Sequence, residues 1–511
     1  MEKVLPKGWV GTDLDTVVSR MTNGSGLKQL EEPYEGSFPI TRIETIWNET
    51  IDLTRVKYVS PTEEEIEKYK LLKGDVLFSH INSDKHLGKT AVFNLEETVL
   101  HGINLLLLRS CPQYDGYFLN YLLRHYRFSG RFIEVAQRSV NQSSINQKKL
   151  KSFQVPLPPL TEQKRIVAKL DSLFASLEST KTRLDKIPLL LKNFKQAILT
   201  QAVTGKLTEQ WREGKELEAA DLTSVQNKRL EDYYILKKNN KKVGSKAPIK
   251  PEYLNQSLDN IDDYQIESWY KAPVGLLCDC IVPGRDKPKS FTGDIPWITT
   301  PDLVSDRINS RNARLFLSSD EILEVKAKLI PEKSVVISIV GRFGVSCIVE
   351  DKCVINQQLH AFLPSELILP SYLMYYFKTQ EEVMNSISTS TTIAYINKTK
   401  ANGIIVNVPT LNEQTEIVHR VESLFAKADA IEAQYTKLKQ KIDTLPQAIL
   451  AKAFRGELVE QNPLDEPASV LLERIKQLKL EAAKKPKKKV VRKKKADNDL
   501  LIAAEPKAKY N

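Results

Sequence analysis

Two stretches of this 511-residue chain concentrate side chains that can neutralise phosphates or hydrogen-bond the edges of nucleic-acid bases. Val282-Pro-Gly-Arg-Asp-Lys-Pro-Lys289 sets three cations among Pro and Gly, a composition that makes an exposed loop ahead of a strand. Ser139 to Asn146 is rich in Asn, Gln and Ser, the neutral donors and acceptors that complement such cations. Covalent chemistry has no comparable cluster. Gly24-Ser-Gly26 lacks the third glycine of a dinucleotide loop, and no Gly-Lys-Ser/Thr follows Gly341-Arg-Phe-Gly344 to make a phosphate cradle. Asp294-Ile-Pro-Trp297 superficially carries the acid and aromatic of an amino-methyltransferase motif. Its second position is Ile, and a base-holding motif without a cofactor loop cannot transfer methyl. Cys111, Cys278, Cys280, Cys347 and Cys353 form no Cys-x-x-Cys pair, and six scattered histidines complete no zinc set. Reduced, buried thiols are expected. No carboxylate and lysine constellation suits a nuclease, so neither catalytic nor metal-binding residues are expected.

The length exceeds what one core organises, so several structural units are expected. The longest apolar runs, such as Leu105 to Leu108, are far short of a bilayer span, and Met1 to Trp9 has no apolar leader core; no membrane partner and a cytoplasmic location are expected. The net charge of +11 suggests a polyanionic partner. Yet Lys484 to Asn511 alone carries eleven basic residues against three acids, so most of the surplus belongs to a tail that reads as disordered and solvated.

The elements that must position the polar loops are legible through a repeat. Pro158-Pro-Leu-Thr-Glu-Gln163 returns as Pro409-Thr-Leu-Asn-Glu-Gln414, 251 residues later, and the match continues without a gap to Gln210 and Gln461, with about 20 of 53 positions identical. Both copies read as helices. Ile166, Leu170, Leu173, Leu177, Thr180, Leu184, Ile187, Leu191, Phe194 and Ile198 alternate spacings of four and three. So do Ile417, Val421, Leu424, Ala428, Ile431, Tyr435, Leu438, Ile442, Leu445 and Ile449. Thr161 and Asn412 are expected N-caps, Gly205 and Gly456 expected stops, and Pro188 and Pro446 are expected to kink or split each helix in its distal third. Some 40 helical residues make a rod of roughly 60 Å. Two copies can pack antiparallel about a pseudo-twofold axis, with whatever precedes each helix at opposite ends.

Those preceding segments are divergent sisters. Leu5-Pro-Lys-Gly-Trp9 parallels Ile266-Glu-Ser-Trp269, Gly36 to Thr41 parallels Gly293 to Ile298, and Gly74 to Ser79 parallels Lys333 to Ser338. Tyr117 to Tyr121 likewise parallels Ser371 to Tyr375, and Ser144-Ile-Asn146 parallels Tyr395-Ile-Asn397. Strands are expected at Asp75–Ser79, Ala91–Leu95, Leu105–Leu108, Ser334–Val340 and Val345–Val349, with helices near Tyr117–Phe132 and Ser371–Ser386. The fold class is α+β: two mixed strand and helix domains joined by two long helices packed as an antiparallel coiled coil.

Two divergent domains, each followed by a similar long helix entered through Pro156 to Gln163 or Val408 to Gln414, resemble the specificity subunit of type I restriction-modification systems. Asp465 to Arg474 also resembles that family's C-terminal helix. The resemblance covers nearly everything from Leu5 to about Leu480. It implies target-recognition domains at 1–157 and 263–407, repeated helices at 158–210 and 408–462, a connector at 211–262, a C-terminal helix at 463–483, and the basic tail at 484–511. It further implies that each domain reads one half of a bipartite double-stranded DNA site. Two modification subunits, which methylate adenine N6 using S-adenosylmethionine, would dock on the helices, and restriction subunits would join them. S-adenosylmethionine, ATP and Mg are expected on those partners and none on this chain. A coiled-coil adaptor that reads no DNA, or a stand-alone methyltransferase or nuclease, are the alternatives; DNA binding by the complex, and consumption of S-adenosylmethionine or ATP by the chain alone, separate them.

Base readout needs Arg, Lys, Asn or Gln on exposed loops. The candidates are Lys28, Arg42, His86, Lys89, Arg138, Asn141 and Gln142 in the first domain. In the second they are Arg285, Lys287, Lys289, Arg307, Arg311, Arg342, Gln357 and Gln358. The expected helix-packing set is Ile166, Leu170, Leu173, Leu177, Leu184, Ile417, Val421, Leu424, Ile431 and Leu438.

Overall fold

A computed structural model describes the chain except residues 1–4, 140–141, 218–221, 243–249, 255–265, 267, 285, 390–392 and 485–511. Asn141, Arg285 and almost all of the basic tail therefore lie outside the described residues. The chain forms two compact units, one from 1–182 together with 439–511, the other from 183–438.

In the first unit, strands Val18–Asn23, Leu106–Ser110, Val76–Phe78 and Thr90–Val92 lie side by side in that order, all antiparallel. The apolar run Leu105 to Leu108 is continuous because this sheet is covered on both faces. Val76, Phe78, Leu106 and Leu108 pack into one core, while Leu77, Ala91, Leu105 and Leu107 pack into another, as the two-residue period of a strand requires. Helix Gly116–Phe128, capped by the Asp115 carboxylate on the Phe118 amide, packs into the first of these cores.

The second unit repeats the plan with strands Cys280–Ile281, Leu359–Phe362, Val335–Ser338 and Ser346–Val349, and adds Arg307–Ile308 in parallel at the edge. Val335, Ile337 and Phe362 face one core, and Val336, Ala361 and Val349 the other. Its helix is Pro370–Lys378. The expected helices 117–132 and 371–386 each become two pieces, Gly116–Phe128 with Arg131–Val135 and Pro370–Lys378 with Glu381–Ile387. In the first unit a left-handed Gly130 makes the break.

The first repeated segment splits into Leu160–Leu184 and Ile187–Val203, with Pro188 in the first turn of the second piece, where its missing N–H leaves no bond unmade. The second copy, Leu411–Ala453, is continuous through Pro446, so the break expected there does not occur. Each segment starts one residue before the expected cap. The Thr410 hydroxyl, rather than Asn412, accepts from the Glu413 amide, and Thr161 lies inside the first turn. Gly205 and Gly456 are left-handed and end the segments.

The two copies touch in an antiparallel sense within each unit. In the first, Ile166 and Leu170 near the start of one helix share a core with Leu450 and Ala453 at the end of the other. In the second, Ile198, Leu199 and Ala202 meet Ile417 and Val421, and Lys195 Nζ lies 2.6 Å from Asp429 Oδ1. Leu177 is also buried; Leu173, Leu184 and Leu424 are half-buried, Leu424 against the core of the second unit. Ile431 and Leu438 are 48% and 47% exposed, so these two seam positions are solvent-facing rather than packed.

Residues 211–262, which read as a connector, contain helix Leu222–Lys242. It enters the core of the second unit through Leu222, Val225 and Leu230 beside Val274 and Leu277. The C-terminal helix Ala468–Lys484 buries Leu471 and Ile475 in the first unit beside Leu14 and Val17. The pattern Ser224-Val225 with Arg229-Leu230 matches Ser469-Val470 with Arg474-Ile475, so the duplication extends to these helices too.

Candidate DNA interface

Each polar loop is placed by a frame built from the repeated Glu-Gln pair. Trp9 Nε1 donates to Glu162 Oε1 at 3.0 Å, and Trp269 Nε1 donates to Glu413 Oε2 at 2.8 Å. The neighbouring Gln163 and Gln414, both wholly buried, donate to the carbonyls of Pro158 and Pro409 at 2.9 Å. Their own side-chain carbonyls accept from the amides of Asp115 and Leu369, the residues that begin the two domain helices. The strand after each Trp pairs antiparallel with the strand before each long helix, Val10 opposite Leu157 and Tyr270 opposite Val408. Tyrosines in or just ahead of each domain helix then bond that last strand: Tyr114, ahead of the cap, and Tyr126 to the carbonyls of Pro156 and Gln154, and Tyr372 and Tyr376 to those of Asn407 and Ile405. Tyr121 stacks on Phe174, and Tyr375 meets Phe425 edge-on. The bonds of the frame satisfy polar groups that are buried or partly buried, which is why the Trp, Glu and Gln recur while the surface changes.

The two carboxylates are treated differently. Glu413 also accepts from Thr208 Oγ1 at 2.7 Å and Arg212 Nη1 at 2.5 Å. Glu162 accepts from Trp9 alone among the described residues, and burial pushes its carboxyl above the usual range against the opposing pull of that bond and of Arg165.

On this frame each unit projects a loop from the inner strand of its sheet and clips it to a short hairpin. In the first unit the loop after Val76–Phe78 pairs at Ile81–Asn82 with strand Gln142–Ser144, which pairs back onto Gln137–Ser139. Ser143 and Arg138 both meet Asp84, the former by a hydrogen bond and the latter at 3.6 Å. In the second unit Val340, just past Val335–Ser338, bridges Tyr395, which in turn bridges Thr389. Buried Phe343 pins that loop, so Arg342 beside it is exposed.

His86, Lys89, Arg138 and Gln142 are thereby brought together on one loop and hairpin. Lys28, exposed after Val18–Asn23, and Arg42, paired with Glu44 at 3.3 Å, belong to other loops. In the second unit, exposed Lys287 and Lys289 share a loop, and Gln357 Nε2 reaches the Asp286 carbonyl at 3.4 Å. A cleft lined by Ile281, Pro283, Asp286, Trp297, Val354 and Gln357 lies beside them. The Gln358 side chain is engaged internally, accepting from Thr300 Oγ1 at 3.2 Å, a poorer position for reading a base. Arg307 lies 3.9 Å from Glu350, and Arg311 is exposed on a 3-10 turn whose N-cap is Asn309. Sequence reasoning missed Lys85 and Arg127, which join the first loop, and the Glu-Gln latch. The latch was visible as identity within the repeat, but nothing in one dimension tied it to Trp9 and Trp269.

The motifs that superficially suggested chemistry serve packing. A Cβ on Gly24 would stand 2.1 Å from the His101 carbonyl, so that glycine permits close approach of two backbones. Trp297 of Asp294 to Trp297 is buried in a strand. Four of the five cysteines are buried, and burial pushes the Cys278 and Cys353 thiols up to about 12. Among the described residues no helix is long and apolar enough to cross a membrane.

The profile of the type I restriction modification DNA specificity domain matches residues 6–189 and 281–440. The StySPI specificity subunit of Salmonella potsdam is 29% identical over 504 residues, covering 92% of this chain and 96% of that one. The EcoKI specificity subunit of Escherichia coli strain K12 is 28% identical over 492 residues with the same coverage. The HsdS subunit from Thermoanaerobacter tengcongensis superposes with a TM-score of 0.57 at 18% identity over 89% of this chain and 99% of its own, a likeness of fold. The duplicated frame, the paired polar loops and a family match spanning well over half the residues agree: this chain belongs to the type I restriction-modification DNA specificity family.

Proposed function

We propose that each unit reads one half of a bipartite DNA site through its loop and hairpin, as the sequence-recognition subunit of a type I restriction-modification complex. The observation that carries this reading is the contrast between a Trp, Glu and Gln latch kept in both units and loops that share neither length nor composition. A partner presented twice needs one surface repeated, whereas two different half-sites need two different surfaces. Arg138, Gln142, Arg342 and the Lys287–Lys289 loop read base edges, and neighbouring cations position the phosphates. The chain is non-catalytic: two modification subunits dock on the repeated helices and bring S-adenosylmethionine, and restriction subunits bring ATP and Mg. The assembly works in the cytoplasm.

Mapping the adenines methylated by the reconstituted complex tests this. Arg138→Ala or Gln142→Ala is expected to relax one position of one half-site and Arg342→Ala one position of the other, at about 1–3 kcal/mol of discrimination each. If any single change relaxed both halves equally, one-unit-per-half recognition would be wrong.

A further inference from the structure

The first unit gathers more positive charge than its fold uses. Strands Ile46–Trp47 and Thr50–Ile51 are joined by Asn48 and Glu49, both in the left-handed region at φ 46° and 63°. A non-glycine residue there is strained, and what holds Glu49 is a pair of cations from helix Gly116–Phe128. Its carboxylate meets Arg124 and lies 3.2 Å from Arg127 Nη1. Arg127 also donates from Nη2 to the Lys85 carbonyl at 3.4 Å, which joins the turn to the loop that carries Lys85, His86 and Lys89.

Glu49 thus pairs with Arg124 and Arg127, and Lys89 lies within electrostatic reach of Arg127, Glu49 and Lys85. Among the described residues no acid lies within ion-pair distance of either lysine. The crowding registers on the members themselves: burial first and neighbouring cations second depress His86 and Lys89, and burial depresses Arg127 against the opposing pull of Glu49, with Arg124 adding to the depression. A fold gains nothing from holding like charges together partly out of water, so the surplus is suited to an external anion. Among the described residues, the equivalent place in the second unit is charge-balanced. The comparable acid, Asp306, meets Lys378, and the adjacent Arg307 has Glu350 and Glu422 near it. The cluster is therefore not part of the shared frame. It also adjoins the hairpin, since Asp84, next to Lys85, is the residue that Ser143 and Arg138 contact.

We propose that Lys85, Lys89 and Arg127 form a docking point for a backbone phosphate of the DNA read by the first unit, with Glu49 fixing Arg127 and limiting the net charge. The inference rests on the DNA-recognition reading and divides its residues: these cations set the register of the duplex, and the neighbouring hairpin reads bases.

The experiment is a salt titration of duplex binding by the full chain, using one duplex with the mapped recognition sequence and one scrambled. Wild-type protein that failed to prefer the mapped duplex would remove the underlying reading, and with it this proposal, before any variant is made. Given that preference, Lys85→Ala with Lys89→Ala is expected to weaken both duplexes by the same factor. It should also flatten the slope of log affinity against log salt by about 0.9, the contribution of the one phosphate no longer neutralised. Lys85→Arg with Lys89→Arg should restore the slope. Glu49→Gln, read alongside its unfolding curve, should steepen it and raise affinity for both duplexes. A double variant with an unchanged slope, or one that lost only the recognised duplex, would overturn the phosphate assignment.

Discussion

Trp9 and Trp269 occupy equivalent places but are not equally replaceable. Glu413 keeps Thr208 and Arg212 when its indole partner is lost, whereas Glu162 would be left buried without a described donor. Trp9→Phe is expected to cost about 2–3 kcal/mol more than a conservative loss of packing, and Trp269→Phe closer to 1 kcal/mol, in urea unfolding. Since burial already raises the Glu162 carboxyl, its folded state binds the extra proton. The penalty of Trp9→Phe should therefore grow as pH rises above the ordinary carboxylate range and shrink in acid. His101 and His360 behave in the opposite sense. Burial pushes both down to about 4, the hydrogen bond between His101 and the Leu105 carbonyl opposing this in part. The unfolded chain therefore takes up protons that the folded chain refuses, and stability falls as pH drops from about 6.5 toward 4, by up to roughly 3 kcal/mol per histidine. His101→Gln and His360→Gln should flatten that dependence; an unaltered pH profile would assign the acid sensitivity elsewhere.

At the scale of elements, the seam of the long helices is buried unevenly along its length. Leu170 is wholly buried in the core shared with Leu450, whereas Leu173, one turn on, is half-buried outside that cluster. Leu170→Asp is expected to cost about 3–5 kcal/mol and Leu173→Asp less than half of that, measured by loss of the cooperative helical transition. Ile431→Asp and Leu438→Asp should leave the fold intact, because both side chains are about half-exposed. If the helices dock the modification subunits as proposed, the same two changes should reduce co-purification with them. Pro446 sits inside a continuous helix where it removes one backbone bond, so Pro446→Ala should stabilise by about 1–3 kcal/mol without changing the helix's course.

At the scale of the whole molecule, the first unit is assembled from the two ends of the chain and the second from its middle. Leu450, Ala453, Leu471 and Ile475 complete a core whose other buried members lie between Trp9 and Leu170, so that core cannot close until the last helices exist. A chain ending at Leu438 should therefore keep the second unit protease-resistant while residues 1–182 are digested. Equal loss of both units would mean that they fold as one cooperative block.

The sequence by itself determined the duplication, both long helices, the inner strands of each sheet and the family. These follow from local periodicity and from identity at a fixed offset, which one dimension preserves. It also offered surface cations and amides as the candidates for reading DNA. Tertiary structure decided what depended on meeting across the chain. It attached Trp9 to Glu162 across 153 residues, took Ile431 and Leu438 out of the packed seam, and gave 211–262 a helix of its own. It let Pro446 stay inside a helix while Pro188 began one, since neighbouring contacts outweigh local propensity. It also gathered Lys85, Lys89 and Arg127, whose common charge becomes a site only once a turn, a loop and a helix are folded against one another.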